Sequence, residues 1–457
     1  MKFLRDKARQ AIRDSATTLS LPADNVLLVL VQDKHAGFLY EDGQHNFVFQ
    51  YAVEYIAAGS PPIAPTEVIP YSEQPYRFAD YPPFFANLLS EGRHTPQTGS
   101  QNEALTVLSI LGAYARDVFG AVSLFGLHDP LPRPAVPERP HKLTDHPKVS
   151  HCLISLAPLD RPGYYAGRSA VSMFGRPDYV FPHNVTDIVP LLEHNHAQGQ
   201  SLPGFQLKFS SDLIQGIHHR KEQCIIKPGT SQFPHLPANE HLTMLMAARL
   251  GLDTAACGLA YSADNELVYI TKRFDRSGDT RHFFLDFAQL MSIHASGKND
   301  TSLERVLETA LTLKLSSLTL RQIYLQHLIA YLLGNEDLHL KNFGILSHDG
   351  RTYTAAPSYD MVNTTLYDNI DRTNALTVNS KRANIRGEDF LAAARNAGII
   401  ESTHYTILHK LSGALSGATT LIARSHLPPE LKERYSNSVA HRAKLLGLPS
   451  IPTRSRK

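Results

Sequence analysis

The sequence predicts an α+β fold of two lobes preceded by a small β-rich unit, and three observations carry that expectation. Strand-like runs fill the first third of the chain and return between residues 206 and 274, with one helix among them. From Leu285 onward helical spacing dominates. Inside that helical part lies one segment dense in oxygen-bearing side chains, Gly334-Asn335-Glu336-Asp337-Leu338-His339-Leu340-Lys341-Asn342. At 457 residues the chain is too long for a single core, so two or three units are expected.

Taken in order, Met1 to Thr18 reads as a short basic helix with Phe3, Leu4, Ala8 and Ile12 on one face, expected to be solvated. Asn25 to Val53 alternates and is rich in Val, Phe and Tyr; Gly37 and Asp42-Gly43 supply turns, so hairpins are expected. Pro61 to Pro83 is Pro-rich and extended. A helical region opens at Phe84-Phe85-Ala86-Asn87-Leu88-Leu89, and Gly120 to Leu124 closes the unit as a strand. His128 to Pro147 holds six prolines and many charges, the composition of a linker. The expected units are therefore an extension 1–24, an accessory subdomain 25–126, a linker 127–147, a first lobe 148–284 and an all-helical second lobe 285–457. Within the first lobe Gln206–Phe209 and Glu222–Lys227 read as paired strands, Asn239–Gly251 as a helix and Glu266–Phe274 as a strand. The second lobe includes one hairpin around Phe343–Tyr353.

The dense loop carries the chemistry. Phosphoryl transfer needs one side chain to orient the attacking hydroxyl and two to hold Mg²⁺ against the phosphates. Asp337, then Asn342 five residues later, then Asp360 in Tyr359-Asp360 after a short hairpin, is the protein-kinase arrangement. The loop lacks the His-Arg-Asp opening of ordinary eukaryotic-type kinases. Upstream, Lys227 ends the apolar strand Cys224-Ile225-Ile226-Lys227 and is placed to grip phosphates, and Glu240 on the following helix is the carboxylate to orient it. Ser201 to Lys208 is the one plausible phosphate loop; it has a single glycine, Gly204, whose neighbouring N–H groups would face phosphate with Lys208. Backbone groups of Lys272 and Phe274 would take adenine, and Asp275 a ribose hydroxyl. His339 is read either as a loop-ordering side chain or as a phosphate contact.

Composition narrows the classes. A net charge of +2 gives no reason to expect strong direct nucleic-acid binding. Three widely spaced cysteines argue against a disulfide framework and fit a reducing cytosol. No signal-peptide core and no run of 18 apolar residues is visible. The clusters His194-Asn195-His196 and His218-His219 lack the partners of a zinc site. The metallophosphoesterase reading fails on the same logic, because the flanking Asp and His motifs of that chemistry are missing.

These residues resemble the HipA-like serine/threonine kinases, toxins of bacterial type II toxin–antitoxin modules. The resemblance spans most of the chain: Ser201–Lys208, Ile225-Ile226-Lys227, Asn239-Glu240, Arg273 to Arg276, Asp286-Phe287-Ala288-Gln289, the Asp337 loop, Tyr359-Asp360, Asn379-Ser380-Lys381, and, in the amino-terminal half, Phe84–Leu89 with Gly120-Ala121-Val122. It implies a bilobal protein-kinase-like fold using ATP and Mg²⁺, with Asp337 catalytic and Asn342 and Asp360 binding metal. It implies phosphate contacts from Lys208, Lys227 and His339, a hinge at Lys272–Phe274, and autophosphorylation of Ser201. It further implies a HipB-like helix-turn-helix antitoxin as partner, operator DNA bound only through that antitoxin, a cytoplasmic location, and a protein substrate such as an aminoacyl-tRNA synthetase. Two departures are visible. Cys152-Leu153-Ile154-Ser155 resembles a Cys-x-x-Cys knuckle with its second cysteine replaced, and residues 1–24 have no clear counterpart. A second reading keeps the fold and drops the chemistry: a catalytically weak co-repressor of the antitoxin.

Overall fold

The computed structural model describes residues 2–78, 82–89, 107–115, 118–127, 138–139, 141–190, 208–210, 223–368 and 373–448. The run Val26–Val31 is apolar without alternation, and all six of its residues are buried. A strand of that kind must be covered on both faces. It lies in a five-stranded antiparallel sheet, in the order Tyr76–Arg77, Phe47–Tyr51, Lys34–Glu41, Val26–Val31, Val122–Phe125. One face packs Leu27, Val29 and Val31 with Phe49, Phe85 and Leu108. The other receives the helix Lys2–Leu19, which lays Ile12 and Ala16 on Val26, Leu28, Leu30 and Val48. The amino-terminal helix is therefore a docked layer, not the solvated helix its charge suggested. The first hairpin turns at Gln32 and Asp33, both left-handed, as a tight two-residue turn demands. Gly37 lies within the second strand, opposite Val29 and Tyr51.

The first lobe holds a four-stranded antiparallel sheet in the order Cys257–Tyr261, Leu267–Lys272, Cys224–Lys227, Phe209–Ser210. Phe209 pairs with Ile226, so the two strands expected to pair do so, in the part of them that is described. The helix Leu236–Arg249 starts with Pro237 in its first turn, three residues before the expected Asn239. Strand Leu267–Lys272 is shorter than its apolar pattern because the chain turns away at Arg273.

In the second lobe the helices Leu303–Thr312, Ser317–Leu332, Gly387–Asn396, Glu401–Arg424 and Pro429–Leu445 surround the segment Gly334–Asn342. Besides these helices the lobe holds the hairpin Gly344–Ser347 with Thr354–Ala355, which pairs with Phe283–Asp286, short bridges, and irregular chain over much of the described part of residues 356–386. Among the described residues no helix is long and apolar enough to cross a membrane.

Candidate active site

Four charged side chains from four separate segments meet at a cavity between the lobes. Lys227, at the end of its strand, donates to Glu240 Oε1 at 2.6 Å and to Asp360 Oδ1 at 2.6 Å. Lys208 donates to Asp360 Oδ2 at 2.9 Å. Glu240 sits in the first turns of a helix whose residues 236–244 are all buried, so its carboxylate is held below the strand and shut off from water. Asp360 has a left-handed backbone, φ 55°, which a non-glycine residue adopts only where surrounding contacts hold it. Two lysines on one carboxylate are such contacts.

The electrostatics follow from burial and pairing. Burial opposes ionisation of Asp360, but Lys208 and Lys227 outweigh it and hold its carboxyl well below the usual range. Burial likewise opposes the charge on Lys227, and Asp360 and Glu240 outweigh it and raise its pKa. Burial pushes Glu240 up to about 7 against the pull of Lys227. Asp360, which both lysines share, is thus the anchor of the cluster.

The Asp337 loop is built to hold its own shape. Gly334 opens it at φ 76°, and a Cβ there would stand 2.7 Å from Asn363 Oδ1. The amide of Asp337 donates to Asn335 Oδ1 at 3.1 Å. Its carbonyl accepts from the amide of His339 at 2.8 Å and from Asn342 Nδ2 at 2.9 Å. Arg442, on the last helix, binds Glu336 and lies over the ring of Tyr331. The Asp337 side chain is 41 % exposed, with its Oδ1 4.0 Å from His339 Nε2.

The cavity is lined by Lys208, Lys227, Asn342 and Asp360, by Lys272, Arg273 and Phe274 of the hinge, and by Val118, Phe119, Asn87 and Leu88 of the amino-terminal unit. Phe274, Phe119, Phe284 and Tyr359 form an aromatic cluster at its wall. Phe119 belongs to no sequence motif; its neighbour Gly120 was the signal. Gly120 has φ 84°, and a Cβ on it would meet Phe284 O at 2.6 Å, so only glycine lets the two units approach. Lys341 was also missed. It is buried, donates to Asn87 O at 2.8 Å and Asn87 Oδ1 at 3.2 Å, and stands 3.5 Å from Asp286. Gln289 Nε2 donates to Phe84 O at 3.2 Å. The segment Phe84–Leu89 is thereby tied to the Asp337 loop.

Three expected roles change. Asp275 does not face the cavity: it is fully buried, takes Arg273 at 2.8 Å, Arg276 at 2.6 Å and the amide of Gly120 at 2.8 Å, and has no oxygen left for ribose. His339 is 1 % exposed and does not line the cavity; its Nδ1 accepts from the amide of Lys341 at 3.3 Å, so of its two readings the loop-ordering one fits. The amide of Lys272 donates to Ala256 O and its ammonium to Ser172 O, so both of these donors are already committed within the protein. Ser201 and Gly204 lie outside the described residues. At the altered knuckle, Cys152 Sγ accepts from the amides of Ile154, Ser155 and Ala166 and lies 3.4 Å from the Ser169 hydroxyl, so hydrogen bonds close the turn.

The donor chemistry fits Mg²⁺. Asn342 has committed its amide nitrogen to Asp337 O, so its oxygen is the atom available to a cation, beside the carboxylate of Asp360. A small hard cation that takes most of its remaining ligands from water and phosphate needs no more from the protein.

A lysine gripping a helix carboxylate, an aspartate shared by two lysines and an Asp–Asn loop are together what a kinase-like fold and cleft would present. Comparison with known proteins agrees. The HipA N-terminal domain matches residues 27–125 and the HipA-like C-terminal domain residues 200–418. A Haemophilus influenzae protein named "Putative kinase" is 27% identical over 289 residues, covering 55% of this chain and 84% of that one. The Sinorhizobium fredii "Putative kinase Y4dM" is 29% identical over 196 residues, 38% of this chain and 48% of that one. The fold matches the Shewanella oneidensis HipA chain solved with HipB and operator DNA, with a TM-score of 0.61 and 18% identity over 92% of this chain and 98% of that one. The chain belongs to the HipA family of kinases.

Proposed function

We propose that this protein is an ATP- and Mg²⁺-dependent protein serine/threonine kinase, the toxin of a HipA-type toxin–antitoxin pair. The observation that carries this reading is Asp360: it is the one carboxylate shared by Lys227 and Lys208, and it lines the same cavity as Asn342. Lys227 and Lys208 would neutralise phosphate oxygens, and the hinge with its aromatic wall would seat the base. Asn342 and Asp360 would hold the metal, which supplies charge neutralisation across the phosphates. Asp337 accepts a hydrogen bond from the acceptor hydroxyl and turns it toward the γ-phosphate. Catalysis is positioning and charge compensation.

The remaining assignments rest on family resemblance: a cytoplasmic aminoacyl-tRNA synthetase or other translation component as substrate, Ser201 as the autophosphorylated residue, and a HipB-like antitoxin that carries the DNA contact. A phosphate on Ser201 would bring up to about two negative charges beside the ATP phosphates and shut the enzyme off. Intact mass of the purified protein after incubation with ATP and Mg²⁺ tests this, beside Asp337→Ala. One added phosphate in the wild type alone, mapped to Ser201, is the expected result. No gain, from a starting mass that shows no prior modification, moves the reading to a catalytically weak partner of the antitoxin.

A further inference from the structure

We propose that Lys208 is the resident counter-ion of the metal ligand Asp360, so that a divalent cation takes its place only when a nucleoside triphosphate draws the Lys208 ammonium away. This rests on the kinase reading above and adds an order of binding to it.

Asp360 has two carboxylate oxygens, and each already carries an ammonium group: Lys227 on Oδ1 at 2.6 Å and Lys208 on Oδ2 at 2.9 Å. The site is nearly closed to water, with the side chains of Lys208, Lys227 and Asp360 only 8%, 3% and 13% exposed. Lys208 and Lys227 face Asp360, and Lys227 also Glu240, so both Asp360 oxygens are already matched by an ammonium without any cation. A divalent ion added to Oδ2 would unbalance it and would sit against an ammonium group where solvent screens little.

The two lysines are not equivalent. Lys227 is held a second time by Glu240 at 2.6 Å and is the deeper of the two. Lys208 has Asp360 as its one ion-pair partner among the described residues. It is therefore the group that can leave. A triphosphate entering the cavity brings acceptors that replace the Asp360 oxygen for the Lys208 ammonium. Oδ2 is then available to a cation together with the Asn342 oxygen. The charges balance through the triphosphate: one ammonium moves from carboxylate to phosphate, and the negative charge of the phosphates offsets the cation that would take its place on the carboxylate. Free cation alone offers Lys208 no new partner, so the exchange does not start.

The test uses Mn²⁺ as the probe and the full chain, with free Mn²⁺ followed by electron paramagnetic resonance and no nucleotide present. Lys208→Met and Lys208→Gln should bind Mn²⁺ about tenfold tighter than the wild type or better, because removing one adjacent positive charge in a poorly screened site is worth at least that. Lys208→Arg, which keeps the charge, should stay with the wild type. Adding Asp360→Asn to Lys208→Met should abolish the gain. With ATP present the order should invert, Lys208→Met binding Mn·ATP more weakly than the wild type. Unchanged nucleotide-free affinity in a Lys208→Met or Lys208→Gln protein that melts normally overturns the proposal. So does a gain that survives Asp360→Asn, since the cation would then sit elsewhere. If no protein, wild type included, binds Mn·ATP, the kinase reading itself falls and the handover with it, even where the nucleotide-free gain is seen.

Discussion

Two buried charge clusters flank Lys272–Phe274, and they are built from different cations. At the cleft, Asp360 is held by two lysines. At the seam with the amino-terminal unit, Asp275 is held by two arginines, and those guanidinium groups also reach backbone carbonyls: Arg273 and Arg276 both donate to Val118 O, at 2.9 and 2.8 Å. Arg281 adds a third donor to Val118 O at 3.2 Å and another to Gly120 O at 3.1 Å. A guanidinium fork fixes several acceptors at once and cannot be moved without losing them all. An ammonium is a point charge that can exchange one acceptor for another. The arginine cluster seals a joint; the lysine cluster stands open to a cavity and is able to trade partners. Two aspartates, each paired with two cations, thus stand in different settings, one facing a seam and the other a cavity.

Substitutions should separate the two. Asp360→Asn is expected to lower phosphotransfer by about 10³-fold, the scale on which lost transition-state charge stabilisation is felt. Its melting temperature should fall less than that of Asp275→Asn, because Lys227 keeps Glu240 as a counter-ion. Comparable collapse of both melts would make Asp360 a structural residue. Asp275→Asn leaves two buried arginines short of their counter-ion. It should cost about 3–5 kcal/mol in chemical denaturation while the folded fraction keeps its nucleotide affinity. A loss of ATP affinity with no loss of stability would put Asp275 back in the nucleotide site.

Lys341 tests the link between the regions, since it runs from the catalytic loop to Asn87. Lys341→Met should cost about 1–3 kcal/mol for the acceptors it abandons and lower kcat more than it raises KM for ATP, because the loop loses position while the cavity remains. A pure KM effect would count against it. The smallest effect is expected from pH. Both aspartates are held below their ordinary values in the fold, Asp275 by Arg273 and Arg276 against burial, Asp360 by Lys208 and Lys227 against burial. A carboxyl whose folded pKa is depressed adds stability above its unfolded value and loses it as pH falls through the folded one. Stability should therefore drop on acidification below about pH 4, and that drop should be shallower in Asp275→Asn. An unchanged slope would show that other carboxylates carry the acid transition.

Much of the site could be read from spacing. Asp337 and Asn342 are neighbours on one loop, and Lys227 and Glu240 lie on a strand and the helix after it, so local geometry alone brings each pair near. The Asp275 expectation failed for a related reason. Thr271-Lys272-Arg273-Phe274-Asp275-Arg276 looks like an exposed strand end with alternating charge, and nothing nearby in the chain announces that Val118 and Gly120 will fold over it. The helix Lys2–Leu19 looked solvated because its charges are local, while the reason to bury Ile12 is the uncovered face of Val26–Val31.

The identity of the chemical groups, their order and the two-lobed plan were legible before folding, because hydrophobic period and motif spacing are properties of short stretches of chain. Which charge stands opposite which was not. Lys208 and Asp360 are 152 residues apart, and Lys341 and Asn87 are 254 apart. Pairing at that range depends on how sheet, helix and accessory unit pack, and it is this packing that makes one aspartate a seal and the other a site.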